Sequence, residues 1–314
     1  MMYGYLARRI LATLPVLGIV AIVVFAILHL SPGDPAALIA GDQATPQQIA
    51  DIRSKLGLDR PLYQQFAVWL GSLLSGDLGV SIFSNQPVTR LLVQRMEPTI
   101  SLTITTTIVM VLLAVPIGVI AAWRADTWID HAVMTLAVLG FSLPIFVVAY
   151  LLIYGLAMTW DVFPVQGYAP LRDGVAAWAN HLVLPSLTLG LSFMALIARI
   201  TRASMLEVLS QDYIRTARSK GLGPRQLLVD HALANAAVPI VTIIGVGVAL
   251  LLGGVVVTES VFAIPGIGRL VVDAILTRDY PVIQGVLLIF SGVYVVLNLI
   301  IDLLYVVLDP RIRY

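Results

Sequence analysis

Apolar residues along this 314-residue chain gather into runs near the roughly 20 residues that an α-helix needs to cross the hydrocarbon core of a bilayer. The runs lie at about residues 10–30, 100–122, 132–158, 183–204, 238–258 and 282–308, and they predict six membrane-spanning helices. An even number puts both termini on one side. Arg8 and Arg9 precede the first run, and Arg311 and Arg313 follow the last. The tendency of cations to stay inside therefore assigns both ends to the cytoplasm. In that orientation 11 of the 19 Lys and Arg residues are cytoplasmic, and five of the other eight fall in one long loop, where the tendency carries little weight.

The segments between the runs have their own punctuation. Basic residues precede the first run as in a signal peptide, but the run ends in SPGDP rather than in small-residue cleavage chemistry and reads as an anchor. Pro32, Gly33 and Pro35 stop the helix where it leaves the membrane. Residues 31–99 form the longest non-membrane segment. Within it TPQQIADIRSKLGL opens like a capped helix after Thr45 and Pro46, and LYQQFAVWLGSLL is a second amphipathic helix. This segment is either an outer subdomain packed on the membrane face or a contact for ligand or an external partner. After the third run, Trp160 and Trp178 read as interfacial anchors. After the fifth, ESVFAIPGIGRLVVDAI resumes an apolar pattern behind Pro265, Gly266 and Gly268, too short to cross. It is predicted as a surface or re-entrant helix at the outer mouth of a pathway. Pro116 and Pro144 predict kinks in the second and third spans, and Gly245, Gly247, Gly253 and Gly254 predict close helix approach in the fifth.

Composition narrows the class. At 59% hydrophobic and 12% charged residues, with a mean hydropathy of +0.94, the chain is far too apolar for an ordinary soluble domain. A net charge of +1 without a basic stripe argues against a nucleic-acid partner. The absence of cysteine removes disulfides, iron–sulfur ligands and thiol nucleophiles. An ionisable group at the bilayer centre costs about 3 kcal/mol and is kept mainly where ions or charged substrates are handled. No span centre here has one. Arg199 and Arg202 lie toward the cytoplasmic end of the fourth run, where snorkelling is the simplest reading, and Asp302 toward that end of the sixth, where it reads as a structural partner for a nearby Arg. The four histidines begin no H-E-x-x-H motif, and no G-x-S-x-G elbow occurs. Lys55 is followed by Leu56 and Lys220 by Gly221, so the chain has no G-K-[ST] phosphate cradle. If transport here is ATP-driven, another chain binds the ATP.

One polar island interrupts the C-terminal half. DYIRTARSKGLGPRQLLVDHALANAAVPIV, residues 212–241, carries Arg215, Arg218, Lys220 and Arg225 beside Asp212, Asp230 and His231, with Gly221 and Pro224 as a breaker pair. The pattern predicts helix, sharp turn, helix. A structured cytoplasmic knuckle on a chain without its own motor predicts a docking partner.

At this knuckle the sequence resembles a family. DYIRTARSKGL followed by HALANAAVPIVT is similar to the cytoplasmic loop of permease subunits of bacterial ABC importers, in the form of the peptide, nickel and glutathione branch. SPGDP, LGLDRPLYQQF, GDLGVS, TRDYPVIQG and IDLLYVVLDPRIRY extend the likeness to the first-named permease of dipeptide and oligopeptide systems, over essentially the whole chain. The resemblance places Arg215, Thr216 and Ala217 where the family has a Glu-Ala-Ala triplet, and Gly221 at its signature glycine. The leading Glu is missing, which leaves Arg215 and Arg218 to find acidic or backbone partners. In the family this segment is the coupling helix that sits in a cleft of the ATPase. The implied coupling residues are Arg215, Thr216, Ala217, Arg218, Lys220, Gly221, Leu222, His231, Asn235 and Pro239.

The resemblance implies an all-α membrane protein of six transmembrane helices, the type I ABC importer permease fold with an extra N-terminal helix. Residues 1–30 are then the anchor, 31–99 an extracytoplasmic segment and 100–308 a five-helix permease core containing the coupling loop 205–237. Residues 309–314 are a cytoplasmic tail. It implies a second homologous permease, two ATPase subunits that bind the ATP and Mg, and an extracytoplasmic substrate-binding protein touching 31–99 and the loop at Glu259–Asp279, all in a bacterial inner membrane. No cofactor is expected in this chain. Two rivals stand beside this reading: an ion-coupled carrier that works alone, and a membrane assembly protein that transports nothing.

Overall fold

The protein is seen as a computed structural model that describes residues 2–30, 36–37, 44–55 and 57–308. The SPGDP stop signal and the tail with Arg311 and Arg313 lie outside the described residues. The described chain is helical: α1 Met2–Leu30, α2 Pro46–Lys55, α3 Leu62–Leu74, α4 Val88–Trp123, α5 Trp128–Ser142 and α6 Ile145–Leu152. Then follow α7 Val175–Leu209, α8 Asp212–Ser219, α9 Pro224–Gln226, α10 Ala237–Val261, α11 Ile267–Thr277 and α12 Tyr280–Leu308. Five helices, at Leu11–Leu30, Val88–Trp123, Val175–Leu209, Ala237–Val261 and Tyr280–Leu304, are long and apolar enough to cross a membrane. The sixth predicted span is a broken pair.

That break corrects the expectation of one kinked helix over 132–158. Helix α5 ends at Ser142, Leu143 is extended (φ −81°, ψ 133°), and the chain resumes at Ile145 behind Pro144, bent by 107°. Proline disfavours the α conformation at the residue before it, and here Leu143 turns the chain instead of continuing the helix. Helix α6 runs on into a wider π-helical stretch, Ile153–Thr159. Pro116, the other predicted kink, lies within a helix that continues through it.

Helix α4 begins at Val88, well before the apolar run at 100. In its threonine-rich stretch three hydroxyls are satisfied within the helix, while the buried Thr106 hydroxyl finds no partner among the described residues. Thr103, Thr105 and Thr107 donate to the carbonyls of Thr99, Ser101 and Thr103 at 2.8, 2.8 and 2.7 Å, four residues back.

The chain divides into two compact units. One comprises Met1–Arg95 and Leu270–Val295. Here α2 has the capped start expected after Thr45, and the cap is a capping box: the Gln48 amide donates to Thr45 Oγ1 (3.3 Å) and the Thr45 amide to Gln48 Oε1 (2.8 Å). Helix α3 packs on α1, with Phe25 against Phe66 edge-on at 5.3 Å and against Trp69 at 5.7 Å. The Asp279 carboxylate accepts the Ser81 hydroxyl and the Ile82 amide, tying the loop before α4 to the start of α12.

The other unit comprises Met96–Arg269 and Val296–Tyr314. Its core joins Leu102, Met110 and Ala114 of α4 to Leu189 and Ile197 of α7 and to Leu251 and Val255 of α10. A Cβ on Gly254 would lie 2.5 Å from Leu189 Cδ1, so the predicted close approach is real there. At Gly253 nothing lies within 4 Å. The segment after the fifth span folds as the short helix α11, and its entry is built around Glu259. This fully buried carboxylate accepts the Thr99 hydroxyl (2.6 Å) and the Arg269 amide (3.0 Å), while Thr99 Oγ1 accepts the Ile267 amide (2.8 Å). Two amides of the helix's first turn thereby find side-chain acceptors.

Candidate coupling surface

Residues 210–240 fold into the predicted helix, turn and helix. Asp212 lies in the first turn of α8 and Arg218 in the last, each sign complementing the helix dipole. The helix ends on a Schellman arrangement: the Gly221 amide donates to the Arg218 carbonyl (3.0 Å) and the Leu222 amide to the Ala217 carbonyl (3.4 Å). Gly221 takes φ +83°, a left-handed conformation that other residues reach only at a cost of about 1–2 kcal/mol. Pro224 then opens α9 at its first position, where its missing amide is not needed. A π-helical turn, Leu227–Leu233, leads on toward α10.

One side of the knuckle is anchored. Ile214 of α8 is buried with Ala122, Met205, Leu227, Ala232, Ala236 and Ile240, which gather the loop and the adjoining ends of α4, α7 and α10. Ala217 is half-buried against the same cluster. The other side is open: Arg215, Thr216, Arg218, Lys220 and Gly221 are exposed, beside Tyr213 at 45%. Leu222 and His231 are half-buried, and Asn235 and Pro239 exposed. Asn235 donates its side-chain amide to the His231 carbonyl at 2.6 Å. The structure thus brings Arg215 to Arg218 together on one small helix, puts Lys220 to Leu222 in the turn that ends it, and sets His231 and Asn235 on the return to α10, whose first turn holds Pro239.

Arg215 and Arg218 find different neighbours. Arg215 lies 3.3 Å from Asp212 in an open pair, which adds little stability where both side chains are solvated. The Arg218 guanidinium instead lies over the Trp123 ring, 5.6 Å from its centroid, a cation–π contact that sequence reasoning missed.

A second missed feature braces this side. Arg202 of α7 makes a two-pronged pair with Asp130 of α5, Nε to Oδ1 and Nη2 to Oδ2, both at 2.5 Å. The Asp126 amide donates to Oδ2 at 3.0 Å. Arg202 was expected to snorkel. It is held because Asp130, in the first turn of the neighbouring helix, stands at the matching level, and a carboxylate just ahead of the third apolar run was the available signal.

The chain matches two family descriptions, the N-terminal part of the binding-protein-dependent transport system membrane component over residues 2–103 and the inner membrane component itself over 114–314. It is 53% identical over 310 residues to a probable peptide ABC transporter permease of Sinorhizobium fredii, covering 99% of each chain. It is 45% identical over 314 residues to the glutathione transport system permease GsiC of Escherichia coli, covering all of both. Among solved structures, an inward-facing form of the MetNI methionine ABC transporter superposes with a TM-score of 0.59 at 16% identity, over 70% of this chain and 96% of that one. The fold is therefore that of a type I ABC importer permease carrying an additional N-terminal helix, and the rival reading of a solitary carrier falls. Matched along nearly its whole length, the chain belongs to the family of binding-protein-dependent transport system inner membrane components and is a multi-pass permease subunit of an ABC importer.

Proposed function

We propose that this permease forms half of a translocation pathway for peptides or similar small solutes, glutathione included, and that separate ATPase subunits drive it through the loop Asp212–Pro239. A second homologous permease completes the pathway, two ATPase subunits bind below with their ATP and Mg, and an extracytoplasmic binding protein delivers the solute. Both termini are cytoplasmic in this reading, as the arginines flanking the first and last runs favour. The names of the relatives support the solute class, which 53% and 45% identity over full length carry across.

The single observation that carries the coupling role is α8 itself. Its inner face is locked to the span ends through Ile214, while Arg215 and Thr216 are exposed on the other face and Lys220 just past its end. A rigid short helix with one fixed and one free face passes a push from a docked subunit to the spans as a rigid-body motion.

Gly221→Val tests this. Nothing lies within 4 Å of a Cβ there, so the change strains only the left-handed turn and leaves the spans untouched. With the full transporter reconstituted, ATP hydrolysis persists while solute uptake falls at least about tenfold, the rate equivalent of ~1.4 kcal/mol. Unchanged uptake at equal ATPase activity overturns the assignment.

A further inference from the structure

A cavity of about 500 Å³ opens between α5 and α7, walled by Met134, Val138 and Phe141 on one side and by Ala195, Leu196 and Arg199 on the other. Apart from Arg199 and the Arg202 beyond it, the wall is almost wholly apolar. The two arginines differ. Arg202 is saturated by Asp130, whereas Arg199 has no hydrogen bond or ion pair among the described residues. It lies three residues earlier on the same helix, about 4.5 Å deeper into the membrane, on the side where α7 leads into α8.

We infer that this cavity is a binding site for an anionic phospholipid of the leaflet facing the α8 loop, with Arg199 pairing the headgroup phosphate and the α5–α7 groove taking an acyl chain. The apolar wall by itself selects nothing, because lipid tails match any apolar groove in a bilayer equally well. Selection comes from the guanidinium, whose planar fork suits a phosphate and which is exposed at the edge of an apolar slot near the α8 end of α7. A second permease packed over the cavity would have to bring a carboxylate to Arg199, because a guanidinium buried without a counter-charge is an arrangement that proteins avoid. A lipid phosphate supplies that charge from the surroundings and needs no residue of a partner.

The test uses the complete transporter in phosphatidylcholine nanodiscs containing a trace of photoactivatable phosphatidylglycerol or, in parallel, photoactivatable phosphatidylcholine. Cross-links are mapped to peptides covering 134–142 and 195–203. Phosphatidylglycerol labels these peptides in roughly fivefold excess, the selectivity of one cation near an anionic headgroup. Arg199→Gln brings the ratio close to parity, while Arg199→Lys, which keeps the charge, retains part of it. Should Arg199→Gln fail to assemble with its companion subunits, the wild-type ratio and the lysine variant decide. Parity in the wild type overturns the inference, and so does a ratio indifferent to Arg199→Gln. No labelling at all shows the cavity covered by protein, and displacement of both probes alike by excess transported peptide shows it to be part of the solute path; either result also overturns it.

Discussion

Asp130 is the charged group this side of the molecule can least do without. It is 2% exposed and accepts three hydrogen bonds, two of them from the Arg202 fork. Replacing one member strands the other, which for a buried pair costs about 3–5 kcal/mol. Arg202 keeps 24% side-chain exposure, so relief by water puts Asp130→Ala near the lower end, at about 3 kcal/mol. The double variant Asp130→Leu with Arg202→Met removes both charges and fills similar volume, so it recovers most of that loss. Thermal unfolding of the purified transporter in detergent orders the three proteins as wild type, double variant, single variant. A single variant as stable as wild type would show the pair to be ornamental. At this scale the sequence was least legible. Hydropathy displays where a charge sits along its own helix, and Arg202 shows there as an interfacial cation, but it says nothing about a partner 72 residues away.

Among the elements, those set by local rules were the readable ones. The capped start at Thr45 and the break at Gly221 and Pro224 each depend on residues within a few positions, and each folded as the sequence predicts, although the reciprocal bond to the Gln48 side chain was not foreseen. The broken third span was only half-readable. Pro144 announced a disturbance, but an apolar run reports length and not direction, so the 107° bend was invisible. The entry to α11 was legible as a short helix and illegible in its support, which comes from Thr99 on a distant part of the chain. That support yields a prediction. A Cβ on Gly266 would stand 2.0 Å from Glu259 Oε1 and 2.2 Å from its Cδ, so Gly266→Ala expels the carboxylate from its place and the first turn of α11 loses a partner. The spans still insert. Amide exchange across 267–277 accelerates by at least about tenfold, corresponding to ~1.4 kcal/mol of local stability, while exchange in α7 is unaltered. Equal exchange in both proteins would mean that Glu259 is not what holds α11.

For the molecule as a whole, the question is where the free energy for uphill transport enters. Raising a neutral solute tenfold inside over outside requires ~1.4 kcal/mol, and a hundredfold about twice that. A carrier draws this from an ion bound at an ionisable group within the membrane, yet the apolar runs of this chain hold no such group at their centres. ATP is the other source, and the chain has no G-K-[ST] sequence to hold its phosphates. On the proposed reading, the candidate spans, one of them a broken pair, and the exposed cationic helix form a conduit moved by force from separate ATPase subunits. Reconstituted alone in liposomes with an imposed proton or sodium gradient, it accumulates no peptide above the outside concentration. Adding the second permease, the ATPase subunits and the binding protein establishes accumulation that requires ATP inside or outside according to the orientation of the α8 loop. Concentrative uptake by the single chain, with no companion present, would show that a source of work lies within these 314 residues after all.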